Sequence, residues 1–309
     1  MQIVDSLEKT PKTFTHFVVT IGNFDGFHLG HQFLIQNLIN TARQQQALSI
    51  VLTFSNHPST ILRPDHTTSL LCSTDHKIML LERAGIDLVI LLPFTKELSL
   101  LSADQFLQKI QKALLFQTLI LGSDAHIGKN REGDRSTVTA LAKRLGFTVE
   151  YFPDCAKDGN RISSSRIREC IQKGDLNQAE ALLGRPYSIF GPVLKGNGRG
   201  APLGFPTANL HVDNLCLPPL GVYAVTLISD GKKYPGVANL GLAPTVRHES
   251  SPLLEVHLFD TNTNLYNHTV DVQFHKFIRQ EKKFEGLETL RNQIADDVLK
   301  AKYLHQKLI

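Results

Sequence analysis

Gly22-Asn23-Phe24-Asp25-Gly26-Phe27-His28-Leu29-Gly30-His31 joins a short apolar run to a segment of helical periodicity, and this junction decides the fold of the first half of the chain. The spacing predicts a strand over 17–22 and a helix over 31–45. Outward from it, apolar runs at 48–54, 87–92, 118–122 and 147–152 alternate with helix-period segments at 75–84, 103–115 and 136–145. Strand and helix in alternation imply βαβ units and a doubly wound parallel sheet of the α/β class. Ligands of such sheets bind at the carboxyl ends of the strands, where this turn lies. A helix start offers unpaired N–H groups and a partial positive charge, both of which attract phosphate. Gly22, Gly26 and Gly30 let the backbone approach a ligand where a Cβ would obstruct it. His28 and His31, three residues apart, share a face and can donate hydrogen bonds to a phosphate whose charge grows in a transition state.

The texture changes further on. After Ser163 come two short helical stretches, through Gln172 and over Leu176–Leu183, before Gly184-Arg185-Pro186 breaks the pattern. Strand-like runs then follow one another at 187–194, 221–228, 234–240, 253–259 and 269–278 without helices between them, the pattern of an antiparallel sheet or small barrel. A terminal helix is predicted over 287–307, with Leu290, Ile294, Val298 and Leu299 on one face. The expected division is residues 1–184 and 185–309.

Composition bounds the function. A chain of 309 residues with 42% hydrophobic and 20% charged residues is ample for two folded domains. Its net charge of +4 is spread along the chain with no run of five Lys/Arg, which suits anionic small molecules and argues against nucleic acid as partner. Cys72, Cys155, Cys170 and Cys216 are too scattered for a zinc ribbon or a CxxC pair and fit a reducing compartment. No apolar run approaches the ~20 residues that span a bilayer, and the first residues lack a basic-then-apolar leader. A cytoplasmic location without membrane attachment is expected. Oligomeric state is not legible.

The ten-residue turn resembles the GxFDGxHxGH signature of the bacterial FAD synthetases, which contains the shorter HxGH of adenylyl- and cytidylyltransferases. All seven fixed positions match: Gly22, Phe24, Asp25, Gly26, His28, Gly30 and His31. Ile162-Ser163-Ser164-Ser165-Arg166-Ile167-Arg168 resembles that family's ISSTxIR, with Ser165 in place of Thr. Ser163 or Ser164 could cap a helix and meet phosphate, while Arg166 and Arg168 supply charge for β- and γ-phosphates. Thr53-Phe54-Ser55-Asn56-His57-Pro58 resembles the family's TFxPHP, with Asn56 replacing proline. The stretch Gly122 to Lys129 departs furthest: Ala125 and Ile127 stand where GxDFxFG has aromatics, although Gly122, Asp124 and Gly128 remain. Five residues between its glycines, and Asn130 after the lysine, exclude a Walker A loop.

In the second half, residues 196–209 (GNGRGAPLGFPTAN) form a glycine-rich loop that opens no helix and so is not a dinucleotide fingerprint. Such a loop can wrap phosphate, and Thr207 and Asn209 offer neutral oxygens suited to Mg²⁺ beside ATP. The string resembles the riboflavin kinase signature, with its LGFPTAN core intact and Gly198 and Gly204 among the loop glycines. Gly236-Val237-Ala238-Asn239-Leu240-Gly241 with Pro244-Thr245 resembles the kinase GVANxG…PT, with Val246 where an aromatic is common. Ile278-Arg279-Gln280-Glu281-Lys282-Lys283-Phe284 resembles IRxExKF. Glu255, in an otherwise alternating strand, corresponds to the kinase's catalytic base.

The resemblance runs from about residue 14 to 302. It implies a nucleotidyltransferase domain of Rossmann-like fold and a riboflavin kinase barrel that phosphorylates riboflavin to FMN and adenylylates FMN to FAD, with ATP as co-substrate and Mg²⁺ as cofactor. It assigns His28, His31 and Glu255 to catalysis. Gly22, Phe24, Asp25, Gly30, Asp124, Ser163, Ser164, Arg166, Arg168, Gly198 and Gly204 go to ATP and phosphate, Asn239 and Arg279 to flavin, and Thr207 and Asn209 to the metal. Two other readings stay open: a kinase whose first domain has lost turnover, which His28 and His31 oppose, and a non-catalytic flavin binder, which Glu255, Thr207 and Asn209 oppose.

Overall fold

The computed structural model describes residues 1–11, 16–196, 200–244, 250–261 and 263–307. Two compact units divide the chain, Met1–Ser69 with Lys77–Ser163 and Leu70–His76 with Ser164–Ile309.

The first unit contains β1 (Gln2–Val4), β2 (Phe17–Ile21), α1 (Leu29–Gln44), β3 (Leu48–Phe54), α2 (Ser59–Leu62) and most of α3 (Thr74–Ala84). It continues with β4 (Leu88–Leu92), α4 (Lys96–Ser99), α5 (Ala103–Leu114), β5 (Thr118–Gly122), α6 (Arg135–Leu145) and β6 (Thr148–Phe152), then the small hairpin β7 (Ala156–Lys157) and β8 (Asn160–Arg161). Six strands form one sheet in the order β1-β4-β3-β2-β5-β6, and every pairing is parallel. The sheet is buried on both faces, with one apolar cluster around Leu52, Ile90, Phe106, Leu107 and Leu119 and another around Val18, Ile35, Leu38, Val51 and Val89. That explains why its strands read as continuous apolar runs. The chain steps from β2 outward to β3 and β4, then returns to the other side of β2 for β5 and β6. The order therefore reverses between β2 and β5, and the ten-residue turn leaves β2 at this switch point.

The second unit holds α7 (Ser164–Gln172), α8 (Leu176–Leu183), β9 (Ser188–Pro192), β10 (Ala208–His211), β11 (Gly221–Ser229), β12 (Lys232–Pro244), β13 (Ser250–Leu258), β14 (Thr269–Arg279) and α9 (Leu287–Gln306). The strands form an antiparallel sheet ordered β10-β13-β12-β11-β14-β9. Leu194 N–H donates to Asn209 O at 2.9 Å and joins the two outer strands, so the sheet is a nearly closed barrel. Apolar Val222, Ala224, Val237 and Phe259 pack under α9 through Ala301.

Four short strands escape the periodicity. β1 is three residues long, β7 and β8 two each, and β10 sits inside the glycine-rich stretch. β1 and β10 pair with partners remote in sequence, which a local pattern cannot register, and β7 and β8 form a hairpin too short to show an alternation. Helices α7 and α8 pack on one another and α8 on β14, where Lys276 Nζ donates to Asn177 Oδ1 at 2.9 Å. By contacts they belong with the barrel, whereas the change of texture falls two helices later, at Gly184. A fragment 164–309 should therefore be more stable than a fragment 185–309, which loses the packing of buried Leu176, Ala179, Leu182 and Leu183. Thermal melts of the two should differ by about 10 °C or more, given ~1.5–3 kcal/mol per large buried side chain. Equal melting would show that the helices add nothing to the barrel.

Candidate functional site

The turn after β2 is wound tightly. Phe24 (φ 52°), Gly26 (φ 77°) and Phe27 (φ 40°) all lie in the left-handed region, uncommon for bulky residues and found where surrounding structure enforces it. Enforcement comes from packing, since Phe24 and Phe27 are buried in the apolar cluster beneath α1. The two aromatic rings act as plugs that hold the intervening backbone at the surface of the sheet's edge. A Cβ on Gly22 would come within 3.0 Å of the Phe24 ring, so this glycine makes room for the plug. A Cβ on Gly30 would sit 3.2 Å from His28.

His28 is the N-cap of α1 and its Nδ1 accepts the His31 N–H at 3.3 Å. With Nδ1 as acceptor, the neutral ring carries its proton on Nε2 and presents that edge as a donor. The rings of His28 and His31 stack at 3.6 Å, and His31 meets the Phe24 ring edge-on at 5.2 Å. His28 and Asp25 are both buried. The expected face-sharing pair is therefore present at the helix start and at the switch point.

Neighbouring strand ends complete this region. Thr53, fully buried on β3, donates to Asn23 O at 3.3 Å. Asn56, which replaces the family's proline, accepts Phe94 N–H at 2.8 Å and donates to Phe94 O at 3.0 Å, tying the end of β3 to the chain beyond β4. An amide here thus does by hydrogen bonding what proline does by restricting the backbone. Beyond β5, Asp124 pairs with Arg161, which also reaches Asp154 at 3.3 Å. Neither Arg161 nor Asp154 stands out in the sequence, because nothing in their spacing links them to Asp124. Ile127 is buried in the core, while Ala125 borders an open cavity of about 630 Å³ whose rim includes His126, Asp134 and Arg135. One missing aromatic is thus replaced by a buried aliphatic side chain, and at the other position Ala125 packs on the margin of the core.

Ser163 and Ser164 stand at the start of α7, which carries Arg166 and Arg168; all four are half-buried, and Ile162 and Ile167 anchor the stretch. Ser163 belongs to the first unit and the arginines to the second.

In the barrel, register does what the linear sequence conceals. Glu255 pairs with Asn209 on β10 and with Asn239 on β12, Asn239 with Val222, and Val222 with Arg279. Directly opposed residues share a face, so Asn209, Glu255 and Asn239 form a row of polar side chains across three strands. Asn209 is buried, and its Oδ1 has no hydrogen-bond partner among the described residues, while its Nδ2 donates to Thr207 O at 3.3 Å. A buried amide oxygen left over in this way, two residues from a threonine hydroxyl, fits a hard cation that takes oxygen ligands. Gly196 and Gly200 lie so close to Asn209 and to Phe205 O that neither could carry a Cβ. Gly204 (φ 90°) takes the left-handed turn that follows. Gly198, Thr245 and Val246 lie outside the described residues.

Asn239 Nδ2 donates to Glu281 Oε1 at 3.3 Å, and the Glu281 carboxylate lies directly over Gly241. Arg279 is committed to a fork: Nε and Nη2 donate to the Asp297 carboxylate on α9 at 2.7–3.0 Å, and Nη1 donates to Gln280 O. Asp297 is buried and also accepts from Gln293. The sequence reading missed Asp297, which follows Asp296 on a mostly polar stretch of the helix and looks there like any solvated charge.

The fold and the sites define a class, a two-module enzyme joining a nucleotidyltransferase-type α/β unit to a kinase barrel. A family model for FAD synthetase matches residues 10–166, and one for riboflavin kinase matches residues 183–305. The bifunctional riboflavin kinase/FMN adenylyltransferase of Haemophilus influenzae is 39% identical over 304 residues, 98% of both chains. Those of Escherichia coli K12 and Bacillus subtilis 168 are each 36% identical, over 92% and 91% of this chain and 91% and 90% of theirs. This chain belongs to the bifunctional riboflavin kinase/FMN adenylyltransferase family, with both modules present. A solved structure titled a macrolide-efflux protein from Streptococcus pneumoniae is similar over 96% of both chains, with a TM-score of 0.80 and 29% identity. Among the described residues of this chain, no helix is long and apolar enough to cross a membrane.

The Arg279–Asp297 fork makes a stability prediction. Arg279→Met leaves a buried carboxylate without its cation and should cost about 3 kcal/mol in chemical denaturation. Adding Asp297→Leu should recover most of that loss. A single variant as stable as the parent would show that the fork is not holding α9.

Proposed function

We propose that the barrel phosphorylates riboflavin with ATP and that the α/β unit transfers the adenylyl group of a second ATP to FMN. The observation that carries this reading is the placement of the central residues of each unit, the stacked His28–His31 pair at the α1 start and the Asn209–Glu255–Asn239 row on the barrel.

In the kinase step Glu255 takes the proton from the terminal ribityl hydroxyl as that oxygen attacks the γ-phosphorus, and the bond to ADP breaks. The resemblance gives Asn239 and Arg279 to the flavin and Gly198 and Gly204 to the nucleotide. Thr207 and Asn209 would hold Mg²⁺, which supplies charge neutralisation at the phosphates when bound. In the adenylyl step an FMN phosphate oxygen attacks the α-phosphorus and pyrophosphate leaves. His28, through Nε2–H, and His31 donate to oxygens that gain charge, aided by backbone N–H groups at Phe24 and Gly30, while Gly22, whose own N–H is held by Leu52 O at 3.1 Å, keeps the turn open for the phosphate. Asp25 and Asp124 shape the nucleotide pocket, and Ser163, Ser164, Arg166 and Arg168 bind its phosphates. We place the enzyme in the cytoplasm, working on riboflavin, FMN, FAD and ATP without nucleic acid or membrane, and we set its functional division near residue 184.

Riboflavin, ATP and Mg²⁺ supplied to the pure protein should give FMN and then FAD, separated by chromatography. His28→Ala and His31→Ala should each lower FAD formation about 10²–10³-fold and spare FMN formation, the cost of removing a transition-state donor. Equal loss of both activities in a folded variant would overturn the assignment of that turn to one reaction.

Glu255→Gln should do the converse, stopping phosphorylation of riboflavin while added FMN is still adenylylated. Near-parental kinase turnover would mean that Glu255 is only a polar residue of its strand.

A further inference from the structure

Lys77 is a buried lysine on α3 that none of the motifs includes. Its Nζ lies 3.2 Å from Asn23 O, 3.2 Å from Thr53 Oγ1 and 2.8 Å from Phe54 O. Burying an ammonium is costly unless it is fully hydrogen-bonded, so a structure that keeps one at this point uses its charge. The acceptors lie on two strand ends, and one of them is the carbonyl that opens the GNFDG turn. That carbonyl receives two donors, Lys77 Nζ and Thr53 Oγ1, both from the β3 side of β2.

The direction of that pull has a consequence for the ligand. A trans peptide is planar, with its C=O and N–H pointing opposite ways, and the described residues contain no cis peptide bond. If Asn23 C=O is drawn toward β3 and Lys77, the Phe24 N–H of the same peptide points away from them, toward the β5 side. This is the crevice at the switch point, beside the His28–His31 pair. Phe24 itself is locked at φ 52° by its buried ring, so the peptide cannot easily turn over. A cation on the carbonyl also polarises the peptide and strengthens its N–H as a donor.

We propose that Lys77 is a positioning residue for adenylyl transfer, aiming and polarising the Asn23–Phe24 peptide so that its N–H donates to the phosphate that gains charge. The inference rests on the reading of this turn as the adenylylation site. Lys77 itself touches no substrate.

The test compares Lys77→Met and Thr53→Val with the parent full-length protein, measuring FMN adenylylation and riboflavin phosphorylation in the same samples. Folding is checked by circular dichroism and limited proteolysis. In Lys77→Met, kcat for adenylylation should fall about 10- to 100-fold, below the 10²–10³ for loss of a direct oxyanion donor. KM for ATP and FMN should stay within about threefold, because the interaction strengthens in the transition state. Kinase turnover should be unchanged. Thr53→Val, which removes the other donor to the same carbonyl, should lower kcat in the same direction by a smaller factor. If Lys77→Met misfolds, Lys77→Gln, a neutral donor of shorter reach, is judged by the same criteria. Adenylylation within twofold of the parent, or a rise in KM with kcat unchanged, overturns the proposal. The underlying reading fails separately, if the parent makes no FAD from FMN and ATP or if His28→Ala keeps full rate.

Discussion

Hydrogen-bond register between neighbouring strands decides where the chemistry-bearing side chains of this protein meet. In the first unit every strand is parallel, so all the carboxyl ends emerge along one edge of the sheet. The turns after β2, β3 and β5 consequently open on the same side, and reversal of strand order beside β2 leaves a crevice there. In the second unit the pairing is antiparallel, and register alone brings Asn209, Glu255 and Asn239, 46 and 16 residues apart in turn (255 − 209 and 255 − 239), into one row. One-residue slippage of β13 would turn Glu255 to the opposite face of the sheet.

Both units then protect the register with polar contacts drawn in part from residues that no motif contains, Lys77 and Phe94 in the first and Asp297 in the second. Lys77 and Thr53 cross-link the ends of β2 and β3, and Asn56 ties the end of β3 to the chain after β4. On the barrel, Arg279 and Asp297 fasten β14 to α9. Each is a polar contact in a sheltered place, where low dielectric strengthens a satisfied bond and makes a broken one expensive. Positioning residues of this kind hold the backbone of a phosphate-binding turn steadier than side-chain packing alone could, since the left-handed Phe24 and Phe27 need opposing restraint.

The departures from the family pattern have local physical answers. Asn56 replaces a proline by making two hydrogen bonds to one backbone residue. Ile127 keeps its place in the core with a smaller apolar side chain, and Ala125 packs at the margin of that core, bordering an open cavity beside the loop after β5. The same loop retains Asp124, which is held by Arg161. The loop can therefore change its apolar filling while its charged residue and the ion pair that holds it are kept.

The two textures, the α/β and barrel classes, and the ten-residue turn with His28 and His31 at a helix start are all legible in the residue order, because these depend on local periodicity and on glycine and capping chemistry that neighbours in sequence supply. Thr207, Asn209 and Glu255 were legible as single residues in recognisable strings. It takes the folded chain to show that Asn209, Glu255 and Asn239 stand in one row, that β1 and β10 are strands, and that α7 and α8 pack with the barrel. The fold alone brought out Lys77, Arg161 and Asp297, whose partners lie 54, 37 and 18 residues away, at Asn23, Asp124 and Arg279. A buried lysine or aspartate looks in sequence like any solvated charge on a helix; only the backbone that folds around it shows which acceptor it was placed to hold.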